Sequence, residues 1–325
     1  MPSASPDTRT IGVVTPDTVY RQLPEGLSVR VRVPSSSANL GPGFDCLGVA
    51  LGVYDEVTVS TAAAGITVDV VGEAADEVPR DANHLVARAV MAGLAHAGLS
   101  APGLNIQCVN TIPHSRGLGS SAAAAVSGLA AASGLLVAGG IGDGFTDDEM
   151  VQLSAEFEGH PDNAAASVLG SAVVTWTDRA DGLNRYRARR LPVHPDIGAT
   201  VFVPATESST SYTRGLLPDV VPRADAVFNV SRAALMVAAL TSDPGLLLAA
   251  TDDRLHQGYR APAMPPTAEL VAELRRHGCA ATVSGAGPSV LVLGTGPMPV
   301  EAREAAVRLG FAPQEVAIAA GVTVD

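Results

Sequence analysis

From Gly117 to Gly142 the chain runs through 26 residues without a charged side chain. Such a run has to leave water, and there are two ways for it to do so. A helix that spans a bilayer needs roughly 20 predominantly apolar residues. Here Ala, Gly and Ser predominate, and Leu, Ile and Val are the minority. That composition scores poorly for insertion. The run is therefore expected as a helix buried inside a globular domain, where small side chains let neighbouring elements approach closely. A strand pattern, Leu104 to Val109, and a loop rich in Pro, Gly and Ser, 113–121, lead into it.

That loop reads Pro113-His114-Ser115-Arg116-Gly117-Leu118-Gly119-Ser120-Ser121-Ala122-Ala123. Two glycines allow close backbone approach to a ligand. The helix begins near Ser120 and Ser121, so free N–H groups and the positive end of the macrodipole face the loop. This is an anion site built without a side-chain cation. An ordinary capped helix behind a glycine turn accounts for the spacing equally well.

The anion site would have to work without lysine, because all 21 basic residues are arginine. A Walker-A loop, a protein kinase and a Schiff-base enzyme each need a Lys, so those chemistries are excluded. The net charge of −12 opposes nucleic acid and anionic membranes, and neither is expected as a partner. Cys46, Cys108 and Cys279 lie far apart, which argues against a disulfide framework or a cysteine zinc site and for a cytoplasmic setting. Residues 1–26 lack the apolar core of a signal peptide and read as a poorly ordered extension.

At 325 residues the chain is long enough for two domains. Residues 27–33 alternate apolar and polar as a half-buried strand that Pro34 should end, followed by a small-residue loop, 35–43. Residues 53–60 and 66–71 read as strands, and 83–97 as a helix with Asn83 at its N-cap. A second helix is expected over 147–157 and a strand over 173–176. A polar stretch at 178–190 places the boundary, giving domains of 27–180 and 181–325. Beyond it come a strand at 199–203, helices at 224–240, 245–256 and 267–277, and strands at 280–283 and 289–293. A helix at 300–309 and a last strand at 315–318 complete the pattern. Without the steady βαβ rhythm of a doubly wound sheet, the fold class is α+β.

Three further clusters carry chemistry. In Ser35-Ser-Ser-Ala-Asn39-Leu-Gly-Pro-Gly43-Phe-Asp45, Asn39 and Asp45 flank a tight turn. They could read an ammonium, or bond only their own backbone. In Glu156-Phe-Glu158-Gly-His160-Pro-Asp162-Asn163, carboxylates close to a phosphate loop could hold Mg²⁺. In Ser284-Gly285-Ala-Gly287-Pro-Ser289, glycines sit between two apolar strands and either admit a ligand or simply turn the chain.

Taken in order along the chain, PSSSANLGPGFD, PHSRGLGSSAA and SGAGPS resemble the three motifs of the GHMP small-molecule kinases. With EGHPDN and Leu255-His256-Gln257-Gly258-Tyr259-Arg260, the likeness is sharpest to the homoserine kinase branch. The mevalonate branch carries a Lys in its first motif, and the galactokinase sugar motif is missing. The resemblance implies a two-domain fold: an N-terminal α/β ATP-binding domain, a C-terminal ferredoxin-like α+β domain, and an active site in the cleft between them. It implies transfer of the ATP γ-phosphoryl group to the hydroxyl of L-homoserine, a step toward threonine, in a homodimer.

Residue roles follow from the same resemblance. The loop from Pro113 to Ala123 would bind ATP, with Asn83 near the adenine and Thr210 in a Thr-x-x-x-Arg segment that ends at Arg214. Asn39, Asp45, His160, Asp162, Gly285 and Gly287 would line the homoserine pocket, with Asp45 on the amino group and Arg214 and Arg260 on the carboxylate. Mg²⁺ would sit on Ser120 or a neighbouring Ser and on a glutamate, for which Glu156 and Glu158 compete. Asn163, Asp162 and Ser120 would serve the chemical step, with Asn163 orienting the hydroxyl and no dedicated strong base. Arginine suits the carboxylate because its fork pairs with two oxygens at once. Rival readings are a mevalonate- or sugar-type kinase of the same superfamily, a catalytically silent metabolite sensor, and a purely structural protein.

Overall fold

The computed structural model describes residues 20–325 apart from Ser209. Most of the expected N-terminal extension and the residue before Thr210 therefore lie outside the described residues. A short parallel pair, β1 (Arg21–Gln22) with β5 (Leu99–Ser100), ties the chain entry to the first domain. The main sheet is built from β2 (Ser28–Asn39), β3 (Gly43–Ala62), β4 (Gly65–Gly72), β6 (Gly103–Asn110), β7 (Ala172–Ala180) and β8 (Leu183–Leu191). The 20-residue β3 pairs with β2 along one edge and shares the other between two strands: Leu47–Val49 pair with β7 and Glu56–Ala62 pair with β6.

One face of this sheet carries α1 (Leu85–His96), α2 (Ser120–Ala138), α3 (Asp147–Glu158) and α4 (Asp162–Leu169). The uncharged run contains α2, and twelve of its residues are buried. Its small residues let α1 lie close: a Cβ on Gly128 would stand 2.5 Å from the Val86 carbonyl oxygen. The start of α3 is closed by a capping box between Thr146 and Glu149.

The second sheet has the strand order β10 (Ala280–Val283), β11 (Val290–Thr295), β9 (Ile197–Val203), β12 (Ala312–Val316), antiparallel throughout. Counted along the chain, that is second, third, first, fourth, the ferredoxin-like order. Alternate residues face opposite ways. Phe202, Val290 and Val292 pack against α9 (Pro265–Arg276) and α10 (Val300–Arg308). On the other side Val201, Leu291 and Leu293 join the large core with Met236 and Leu240 of α6 (Arg223–Thr241) and Ala250 of α7 (Leu247–Ala250). Both faces are covered, which is why 290–293 reads as an unbroken apolar run. The last strand, β13 (Thr323–Val324), returns to the first sheet and pairs with β2.

Several expectations are corrected. Pro34 does not end its strand: β2 continues to Asn39, with the register shifting between Pro34 and Ser35. A shift of this kind accommodates a residue that cannot donate to the ladder. The segment 35–39 is thus strand, not loop. The polar stretch at 178–190, where the domain boundary is expected, is regular structure. It is the β7–β8 hairpin, polar because β8 pairs on one side only and buries only Tyr186, and the chain enters the second sheet at Ile197. The helix expected over 245–256 stops at Ala250, because the Asp253 carboxylate captures the amides of Leu255, His256 and Gln257 and resets the chain into α8 (Gln257–Arg260). The N-cap of α1 is His84, whose Nδ1 accepts from the Val86 amide, and not Asn83. The final strand of the second sheet is 312–316, not 315–318.

Candidate active site

The phosphate loop is held between the other two glycine-bearing motifs. The Ser36 amide donates to the Leu118 carbonyl, the Ser284 hydroxyl to the Gly117 carbonyl at 2.6 Å, and the Ser289 amide to the Arg116 carbonyl. Both loop glycines have positive φ, 76° at Gly117 and 69° at Gly119. A Cβ on Gly119 would overlap the Ser36 hydroxyl, and one on Gly117 the Ser284 carbonyl. Gly119 caps α2 without any side-chain hydrogen bond, so the first-turn amides remain available to an anion.

Arg116 does not extend this site. Its guanidinium donates to the carbonyls of His114, Pro204 and Ala205 and pairs with Glu207. It fastens the loop to the chain after β9. His114, Ser115, Gly117, Gly119, Ser120 and Ser121 do line a cavity of about 390 Å³.

The α3–α4 junction forms one wall. The helix α3 stops at Gly159, whose φ is +79°, and α4 starts at Asp162. The buried Asp162 accepts through Oδ1 from the His160 Nδ1–H at 2.8 Å and from the Asn163 amide at 2.7 Å. Burial alone would lower the His160 pKa. The hydrogen bond and charge of Asp162, with Asp45 beyond, outweigh it, and the net shift is upward. Asn163 Oδ1 accepts from the Ser36 hydroxyl at 3.0 Å.

The two competing glutamates separate here. Glu158 Oε1 accepts from the Ser121 hydroxyl at 2.6 Å at the cavity wall, whereas Glu156 accepts from Gln152 and faces elsewhere. A carboxylate and hydroxyls of adjacent serines are the hard oxygen donors Mg²⁺ takes, with phosphate oxygens and water completing its shell. Ser120, Ser121 and Glu158 fit that cation.

The opposite wall comes from the first turn and from the second domain. Asn39 (φ +71°), Leu40 (+47°), Gly41 (+85°) and Asp45 (+52°) hold an unusual backbone path. Asn39 secures it, accepting from the Asp45 amide and donating to the Gly285 carbonyl at 2.8 Å. Arg214, the last residue of α5 (Thr210–Arg214), meets Asp45 through two hydrogen bonds of 2.8 Å. Arg260 is 2% exposed and donates to the Thr213 and Gly285 carbonyls. Among the described residues no carboxylate forms an ion pair with it. Burial, then the charge of Arg214, lower its pKa. Both guanidinium carbons stand 5.4 Å from the Phe44 ring centroid. An aromatic ring gives these like charges a shared attractive contact.

Of the expected residues, Asn39, Asp45, His160, Asp162, Asn163, Arg214, Arg260 and Gly285 line this cavity together with the loop. Asn83 is exposed and outside it, with its amide on Asp81. Pro113 and Leu118 border a separate surface cavity. Ala122 and Ala123 are in the core, and Gly287 is packed against Met264. The side chain of Thr210 lies outside the described residues. Phe44 and Ser208 also line the cavity, and Ser36 supports it through Asn163, roles that no spacing in the sequence marks. Phe44 stood inside the first motif, between Gly43 and Asp45. A larger cavity, about 690 Å³, lies at the far end of the second sheet beside Leu248, Cys279 and Glu315, and no basic side chain lines it. The charged chemistry belongs to the smaller cavity.

Two family models match the chain, one described as GHMP kinases N terminal domain over residues 84–171 and one as GHMP kinases C terminal over 235–312. The homoserine kinase of Rhodococcus opacus (strain B4) is 58% identical over 307 residues, covering 92% of this chain and 98% of that protein. The homoserine kinase of Mycobacterium tuberculosis (strain ATCC 25618 / H37Rv) is 54% identical, covering 92% of this chain and 95% of its own. The solved structure of homoserine kinase from Cytophaga hutchinsonii ATCC 33406 superposes with a TM-score of 0.79 at 25% identity, over 92% of this chain and 97% of that one. A mevalonate kinase structure, 12% identical with a TM-score of 0.62, shares the fold.

Proposed function

This chain belongs to the GHMP kinase family, in its homoserine kinase branch, and from that premise we propose how its cavity transfers the γ-phosphoryl group of ATP to the hydroxyl of L-homoserine. One observation carries the reading. The amide-rich start of α2 with Ser121 and Glu158, and the charged set Asp45, Arg214 and Arg260, border the same cavity. One end suits phosphates and the other an amino-acid zwitterion.

Homoserine carries an ammonium and a carboxylate on one carbon. Asp45 supplies an acceptor for the first, and Arg214 and Arg260 supply donors for the second. Asp45 and Arg214 pair with each other. A zwitterion replaces that pair with like chemistry, its ammonium taking Asp45 and its carboxylate taking the arginines. The free amides of the loop and of the α2 N-terminus receive the phosphate oxygens. Ser120, Ser121 and Glu158 would hold Mg²⁺, which offsets negative charge on the phosphates when bound. Phosphoryl transfer depends mainly on positioning and charge stabilisation, and Asn163, which lines the same cavity, would orient the hydroxyl. Asp162, already accepting from His160 and the Asn163 amide, is read as part of the pocket and not as the base.

Coupled assay of ADP release tests this directly. Release is expected with L-homoserine and not with mevalonate, galactose or shikimate, and release with one of the latter instead would overturn the substrate. Turnover abolished in Asp162→Asn at unchanged homoserine affinity would make Asp162 the base. Cytoplasmic placement in threonine synthesis and a homodimer are carried as parts of the same proposal. Three free cysteines support the first. Exposed Val227 and Val230 on α6 offer a surface for the second, and sedimentation as a monomer at micromolar concentration would remove it.

A further inference from the structure

The substrate end of the cavity is backed by a buried imidazole that the mechanism above does not use. His256 is 0% exposed. Its Nε2 lies 2.7 Å from the Gly41 carbonyl oxygen and its Nδ1 lies 3.4 Å from Arg260 Nη1. A carbonyl can only accept and a guanidinium can only donate. The partners therefore assign the neutral ring with its proton on Nε2, donating to Gly41 while Nδ1 accepts from Arg260. The second contact is long, and a bound carboxylate pulling on Arg260 would act directly against it.

The two partners belong to opposite halves of the substrate site. Gly41 is the centre of the turn that fixes Asn39 and Asp45, and a Cβ there would overlap the Thr251 carbonyl. Arg260 is the carboxylate side. The imidazole also packs on Phe44, ring centroids 5.3 Å apart, and Phe44 lies under both Arg214 and Arg260.

We propose that His256 is a positioning residue for the amino-acid substrate: it holds Arg260 in register with the Asn39–Asp45 turn, so that carboxylate and ammonium are read at one fixed separation. This rests on homoserine binding in this cavity. The charged groups around the ring are Asp253 on the loop before α8, Arg260 on α8, Asp45 on β3 and Arg214 on α5. Burial, the largest influence, lowers the His256 pKa, with Arg260 adding to it. Asp253, the Gly41 contact and Asp45 oppose, and the net shift is downward, as a neutral ring requires. Asp253 is itself saturated by Asn229 and three backbone amides, so it does not need the ring charged.

The test compares His256→Leu, which keeps bulk without polar atoms, with His256→Gln, which can both donate and accept. Kinetics are run with L-homoserine and with 3-aminopropan-1-ol, which has the hydroxyl and ammonium but no carboxylate. Loss of a buried charge-assisted partner leads us to expect a homoserine KM raised about ten-fold or more in His256→Leu. The ATP KM and kcat/KM for the amino alcohol should stay within about two-fold, and His256→Gln should recover most of the homoserine KM. Equal losses on both alcohols, or on ATP, would show a merely structural role and overturn the proposal. If His256→Leu does not fold, the ¹⁵N spectrum of histidine-labelled wild-type protein decides. A neutral ring protonated on Nε2 at pH 7 is expected, and a cation or the other tautomer overturns it. Wild-type protein without homoserine-dependent ADP release would instead fail the substrate reading.

Discussion

At the scale of single residues the site separates groups that look alike in the sequence. Glu156 and Glu158 are two positions apart on α3, so they point to different sides of a helix that turns every 3.6 residues. Only Glu158 reaches Ser121. Glu158→Gln is expected to raise the Mg²⁺ concentration for half-maximal ADP release by about ten-fold or more, while Glu156→Gln stays near wild type. A Mg²⁺ titration showing the reverse would move the metal. His160 gives a pH dependence. Its folded pKa is raised, so its contribution to stability is fully present below the unfolded value of about 6.5 and fades as pH rises through the folded value. The melting-temperature gap between wild type and His160→Gln should therefore be wider at about pH 5.5 than at about pH 8.5, and an unchanged gap would refute it. Arg116 shows the limit of reading residues alone. An arginine in a phosphate loop looks like a phosphate ligand, yet its five donors can equally serve backbone carbonyls that only the folded chain brings near.

At the scale of elements, local pattern was reliable where one physical signal dominated. The uncharged run became α2, the acidic first turn of α3 met its Thr146 cap, and Ala280–Val283 lies where the apolar run placed it. It was misleading where a side chain or neighbour decided. Pro34 would end an isolated strand, but a register shift carries β2 onward and delivers Ser36, Ser37 and Asn39 to the site. The Asp253 carboxylate broke a helical pattern and aimed Arg260 inward. The junction of loop and α2 leaves little tolerance. Gly119→Ala places a side chain at φ +69° against Ser36, and that backbone region costs about 1–2 kcal/mol per residue. Chemical denaturation should show at least that loss, together with an ATP KM raised about ten-fold. A variant with wild-type stability and ATP KM would contradict the packing described.

At the scale of the whole molecule, the cavity takes its walls from both sheets. Asn39, Asp45, Glu158, Asp162 and Asn163 come with the first, and Arg214, Arg260 and Gly285 come with the second. Ligand binding should therefore stabilise both parts together. Homoserine at about a hundred times its Kd is expected to add about 2.7 kcal/mol to a single unfolding transition. A scan in which only one of two transitions moves would argue against a shared site.

The sequence by itself determined the α+β class, the glycine-bearing loop that leads into an uncharged buried helix, the absence of lysine chemistry and the family. Each of these depends on residue type and short spacing, which a linear pattern preserves. Tertiary structure alone decided which glutamate meets Ser121 at the cavity wall, that the Arg116 guanidinium is taken up by backbone carbonyls and Glu207, that Asp45 and Arg214 pair, and that His256 stands between Gly41 and Arg260. Those outcomes depend on contacts between residues as many as 215 positions apart. Their geometry is set by the packing of two sheets around one cavity, and no local periodicity encodes it.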